Sequence, residues 1–158
     1  MSKHVNHDEE KCELRILGER HVAVDVEALC NHLDTLVGSK VAEVMINQHT
    51  FPLGRDDAAR IREKNPQATV REVIDSLIEA DCASGVGITR IVLPESPSDS
   101  VDLEISNPCM KRTFGAAKAL LFSYWCGALT YLLGKEYRVS FVAYDESKNL
   151  LKCQIAPR

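Results

Sequence analysis

Five histidines and six cysteines are the side chains of this 158-residue chain best suited to hold a metal or attack a substrate. His4 and His7 lie upstream of Cys12 in a polar stretch. That grouping could grip a metal, and free polar tails also carry such histidines without any role. His21, His32 and His49 fall on an expected strand, an expected helix and a helix end. Each can be read as a ligand for an iron tetrapyrrole or as a surface or hydrogen-bonded histidine. Cys12, Cys30, Cys82, Cys109, Cys126 and Cys153 include no CxxC pair, which excludes the zinc-ribbon and thioredoxin patterns. Cys109 and Cys126 lie near or on a long apolar segment, where a thiol behaves as a small hydrophobe unless its surroundings ionise it. Ser123, in "FSYWC", lacks the glycines that flank a nucleophile elbow. The cluster "RDDAARIREK" mixes signs and reads as a solvated helix face, not as paired catalytic carboxylates.

Net charge is -4 and no run of Lys or Arg could track a phosphate backbone, so nucleic acid is excluded as the expected partner. The first residues, "MSKHVNHDEEKCE", have no apolar core of the kind a signal peptide needs. Six thiols without such a leader imply reduced cysteines and a cytoplasmic location. The expected organisation is a polar tail over residues 1–12 and a single domain over 13–158.

Elements that could position these groups follow from periodicity. "CELRILGERHVAVDV" alternates as two strands around a turn at Gly18 and Glu19. Asp25 and Gly38 bracket a helix with Leu29, Leu33 and Leu36 as its apolar stripe. A second helix starts near Lys40 and is expected to break or bend at Pro52, with "RDDAARIREKNP" beyond it as an exposed helix or lid segment. Thr69 and Glu72 form a capping box ahead of Val70, Val73, Ile74, Leu77 and Ile78. "VGITRIVLP" and "VDLEI" read as strands around the loop "ESPSDS", and "EYRVSFVAY" and "LLKCQIA" as strands around the turn "DESKN". This order predicts an α+β fold, an antiparallel sheet with helices packed on one face.

The segment "FGAAKALLFSYWCGALTYLLG", Phe114 to Gly134, has Lys118 as its only charge. Its length approaches the roughly 20 residues that cross a bilayer. Lys111 and Arg112 precede it and Lys135 and Arg138 follow it, so its flanks lack positive-inside asymmetry. The remaining elements also need an apolar partner, so a core helix is expected here and no membrane span. Gly115, Ala119, Ser123 and Gly127 recur every four residues and define a close-packing face. Phe114, Leu121, Phe122, Trp125 and Leu129 are the large residues that either fill a core or wall an apolar pocket. In "NQHTFPLG", His49, Phe51 and Pro52 are candidates for a lid.

Three stretches resemble the 4-vinyl reductase domain family, the hydrocarbon-binding proteins related to core subunits of the TRAPP complex. They are "ADCASGVGITRIVLPE" with Gly85 and Gly87, "EISNPCMKRTFGAAKALLFSYWCGALTYLLGKEYRVSF" with Gly127 and Gly134, and "LLKCQIAP" with Cys153. The resemblance covers the chain from about Leu14 on and implies an antiparallel sheet with helices on one side, a dimer formed through helices, and non-catalytic binding of a hydrophobic molecule. It also implies that the zinc site of some relatives is lost. Cys153 fits the last ligand position, while Asp145 stands where a cysteine precedes it and Val142 where a glutamate is needed. No cysteine lies between Asn31 and Asp81 to carry the fatty acyl group of some TRAPP subunits.

The leading expectation is therefore a cytoplasmic, homodimeric, non-catalytic module for an aromatic, lipid or tetrapyrrole ligand, signalling through a partner protein. A ligand-free interaction scaffold is the second reading. A haem protein or enzyme is the third, and it requires two or more of His21, His32, His49, Cys109 and Cys126 to converge on one cleft.

Overall fold

Asp25 opens the first helix by accepting the Ala28 N–H at 2.9 Å, and α1 runs Val26–Val37 to Gly38. The computed structural model describes residues 25–94 and 99–158, together with the backbone of three short strands before them. Those strands, β1 (Val5–Asp8), β2 (Glu13–Ile16) and β3 (Glu19–His21), pair antiparallel in the order β1-β2-β3. β1 lies inside the stretch read as a polar tail. Residues 22–24, the second half of one expected strand, lie outside the described residues, as do His4, Cys12 and residues 95–98 of the "ESPSDS" loop.

α2 (Ser39–Lys64) passes through Pro52 without ending, so of the expected break or bend the break does not occur. Proline removes one N–H, the donor that would have reached the Gln48 carbonyl, yet packing along the rest of the helix holds it together. Its charged second half is not a free-standing lid, because Asp57 and Ala58 are buried. α3 (Val70–Ala83) begins at the expected capping box: Thr69 N–H donates to the Glu72 carboxylate at 2.8 Å, and Glu72 N–H to the Thr69 hydroxyl at 3.2 Å. Val73, Ile74 and Leu77 are its buried face.

A second sheet holds β4 (Ile88–Val92), β5 (Val101–Ser106), β6 (Tyr137–Asp145) and β7 (Leu150–Pro157) in the antiparallel order β4-β5-β7-β6. β7 thus inserts between β5 and β6, and α4 (Gly115–Leu133) is the crossover that makes room for it. Alternate residues face inward: Val101, Leu103 and Ile105 of β5, then Leu151, Cys153 and Ile155 of β7. These join the large residues of α4 and the buried face of α3 in one core. The outer face is mixed: Lys152 lies 3.6 Å from Glu104, and Ile88, Val92 and Phe141 are exposed there. The architecture is α+β, an antiparallel sheet with helices packed against its apolar face.

Candidate functional site

α4 is long and apolar enough to cross a membrane, but 67% of its apolar window is buried within the molecule. Its contacts explain where the apolar surface goes. α2 lies along the face defined by Ala119, Ser123 and Gly127, so close that a Cβ on Gly127 would meet the Phe51 carbonyl oxygen at 1.9 Å. Gly54 of α2 is its counterpart: a Cβ there would sit 1.9 Å from the Tyr124 carbonyl oxygen. The Thr50 hydroxyl donates to the Ile46 carbonyl at 3.0 Å and lies 3.4 Å from the carbonyl of Ala119. Lys118, the one charge in the apolar segment, pairs with Glu43 of α2 at 2.7 Å.

Gly115 is placed differently, at the first turn of α4 beside Asp34 of α1. The Asp34 carboxylate accepts the Ala116 N–H at 3.0 Å and pairs with Arg112 at 2.8 Å, so a residue of α1 caps α4. Arg112 also covers the ring of Phe114, 4.4 Å from its centroid. Turning Asp34 inward leaves Leu29 and Leu36 on the exposed side of α1, where the buried residue is Cys30.

Between α2, α4 and the start of β6 lies an open cavity of about 500 Å³. Val44, Phe51, Pro52 and Val139 form its apolar wall, and Ala119, Ser123 and Cys126 its floor of small side chains. Burial pushes the Cys126 thiol up to about 12, so the floor carries no thiolate at neutral pH. Charges ring the mouth: the Lys118–Glu43 pair, Glu136 paired with Arg158 at 2.6 Å, and Arg138.

A separate polar cluster joins α2, α3, α4 and β4. The Trp125 indole N–H donates to Asp81 of α3 at 2.9 Å, and the Thr89 hydroxyl of β4 approaches the same oxygen at 3.4 Å. Burial pushes the Asp81 carboxyl up to about 7, against the opposing effect of those two hydrogen bonds. Asp57 of α2 adds to the rise. Tyr124, edge-on to Trp125, donates its hydroxyl to Asp57 at 3.1 Å, and Arg60 pairs with Asp57 at 3.3 Å.

Two of the sequence-derived groups meet at the cavity. Ala119 and Ser123 of the close-packing face line it, as do Phe51 and Pro52 of the lid candidates. His49 is exposed elsewhere on α2. Of the five large residues, Leu121, Phe122, Trp125 and Leu129 are in the core, and Phe114 is exposed beneath Arg112. Asp145 and Cys153 do not converge: Asp145 pairs with Leu150 at the end of its hairpin and caps the short turn after β6, while Cys153 faces the core opposite Val142. Burial raises the Cys153 thiol pKa. Among the described residues no three His, Cys, Asp or Glu side chains gather as a metal site. His32 is exposed on α1, and of the described residues named for a haem protein or enzyme only Cys126 reaches the cavity. Asp81 was not singled out from sequence. A lone acid near a helix end reads as solvated, and only the fold brings the indole to it.

No family model matches the chain, and no curated protein matches it. Among solved structures, the phenol-responsive sensory domain of the transcription activator PoxR, with phenol, is similar over 98% of this chain and 85% of that one. The TM-score is 0.73 at 13% identity, so the two share a fold. A structure from a study of haem distortion in the H-NOX family aligns over 90% of this chain and 76% of its own, at TM-score 0.43 and 15% identity. A point-mutant structure of T. tengcongensis H-NOX aligns over 91% of this chain and 79% of its own, at TM-score 0.39 and 16% identity. Superposition that loose carries no argument. These findings correct the resemblance to 4-vinyl reductase domains and TRAPP subunits, because the shared fold is that of the PoxR sensory domain. The glycines behind that resemblance have local causes. Gly127 admits the α2 backbone, and Gly134, at φ 72°, ends α4 in the left-handed conformation.

Proposed function

We propose that this protein is a non-catalytic sensor or carrier module whose cavity between α2, α4 and β6 takes a small apolar or aromatic molecule. The observation that carries the reading is the cavity itself, about 500 Å³, with an apolar wall and an uncharged floor. That volume lies within the range of roughly 300–1,000 Å³ typical of small-molecule sites. The PoxR sensory domain supports it, since a protein of the same fold responds to phenol. An aromatic ring is therefore the ligand class put first, ahead of a lipid chain. A tetrapyrrole has weaker support, because no described histidine lines the cavity. Trp125 enters this reading as a support for the floor helix, its indole N–H already engaged by Asp81.

The test is a titration of the full chain, labelled with nitrogen-15, with phenol, benzoate, benzyl alcohol and octanoate, followed by amide chemical shifts. Saturable shifts confined to Phe51, Ala119, Ser123, Cys126 and Val139 are expected for at least one compound. No saturable shift at those residues with any of them overturns the reading.

A second reading, an interaction module, is favoured by one specific observation. Leu36 and Val37 at the end of α1 and Val41, Val44 and Met45 at the start of α2 are all exposed, Leu36 by 64%. Large apolar side chains grouped on one surface mark an interface. We infer a homodimer through this surface, with any output passing to a further partner protein. The two readings are compatible, since Val44 also belongs to the cavity wall.

A further inference from the structure

We propose that the cavity selects an amphipathic carboxylate, with its anionic head on Arg138 and its apolar body over Ala119, Ser123 and Cys126. This rests on the cavity being a ligand site and adds the charge class of the ligand. The charges at the mouth are unequal in their engagement. Lys118 is neutralised by Glu43 at 2.7 Å and Arg158 by Glu136 at 2.6 Å. Arg138 lines the same cavity and makes no side-chain hydrogen bond or ion pair among the described residues.

The surroundings fit one added negative charge. Val139, next along β6, is half-buried and continues the apolar wall toward Phe51 and Pro52. The floor beneath adds no competing negative charge, since Cys126 is a buried neutral thiol. A guanidinium offers a planar fork that matches a carboxylate with two parallel hydrogen bonds, which neither a neutral alcohol nor an amide reproduces. An aromatic or short acyl body would then lie against the apolar wall, where burial supplies affinity without orientation. Carboxylate recognition thus separates ligands of equal size by charge.

The discriminating measurement is calorimetric titration of benzoate and of its neutral counterpart benzamide into the full chain and into Arg138→Gln. Arg138→Lys keeps the charge without the fork. The expected result is benzoate binding about tenfold tighter than benzamide, with that preference lost in Arg138→Gln and partly kept in Arg138→Lys. Benzamide affinity should be the same in all three proteins. Equal affinity of benzoate and benzamide for the unaltered chain overturns the carboxylate proposal and leaves the cavity as a neutral-ligand site. Equal loss of both ligands in Arg138→Gln also overturns it, because the arginine would then act by packing. Binding of neither ligand, together with an unresponsive amide spectrum, removes the ligand site itself.

Discussion

A half-buried carboxylate held between an indole N–H and a threonine hydroxyl has a pH dependence that can be worked out in sign. Asp81 has an ordinary value of 3.8 and is pushed up to about 7 in the folded chain. Between those values the folded chain holds a proton that the unfolded chain has released, so stability falls as pH rises through the window. By pH 8 the buried charge costs up to about 4 kcal/mol relative to pH 3. The groups facing Asp81 are Trp125, Thr89 and, at longer range, Asp57; the Cys109 thiol, itself raised by burial, and the Tyr124 hydroxyl also sense its charge. Asp81→Asn keeps an acceptor for the indole and deletes the charge. Its melting temperature should exceed that of the unaltered chain at pH 8, and the difference should shrink toward pH 5. Parallel melting curves for the two proteins from pH 5 to 8 would show that Asp81 is ionised throughout.

At the scale of elements, the pairing of α2 with α4 depends on two glycines that face each other's backbone. Gly127→Ala places a methyl group where the Phe51 carbonyl already lies, 1.9 Å away, so the helices must separate. A loss of at least about 1–3 kcal/mol is expected from overpacking alone, read as a lower urea midpoint with an unchanged slope. An unaltered midpoint would mean that the helices are not in contact at that point. The Asp25 cap, the Thr69–Glu72 box and the strands of the second sheet were legible in the sequence, and of the period-four small residues Gly127 meets the α2 backbone while Gly115 meets Asp34 instead. Each of those signals is local, written in neighbouring residues. The partner of the stripe was not legible, because α2 lies far from α4 in sequence and carries a proline that reads as a break. The outward turn of Leu29 and Leu36 was hidden for the same reason, since it follows from Asp34 reaching α4. The cavity was half legible: Phe51, Pro52, Ala119 and Ser123 were named for other roles, whereas Arg138 was read only as a flanking charge and Val139 only as part of a strand. A cavity is the space left between elements, and no periodicity encodes it.

Taken as one molecule, the fold puts its cavity beside an exposed apolar surface of α1 and α2. Val44 belongs to both, lying one helical turn from Val41 along α2. A second copy seated on Leu36, Val37, Val41 and Met45 would therefore press on the cavity wall, and a ligand in the cavity would alter the surface that the copy meets. Linkage makes that coupling reciprocal: whatever factor dimerisation lends to ligand affinity, the ligand lends to dimerisation. Val41→Asp with Met45→Asp should convert a dimer into a monomer in sedimentation experiments, because two charges cannot be buried unpaired across an apolar contact. Neither residue lines the cavity, so the variant should still show the ligand-induced shifts at Phe51 and Val139, with an affinity changed by the same factor by which ligand shifts the dimer constant of the unaltered chain. A variant that remains dimeric would move the interface elsewhere. A monomer with unchanged ligand affinity, beside a dimer constant that ligand does not shift, would show that the surface and the cavity are not coupled.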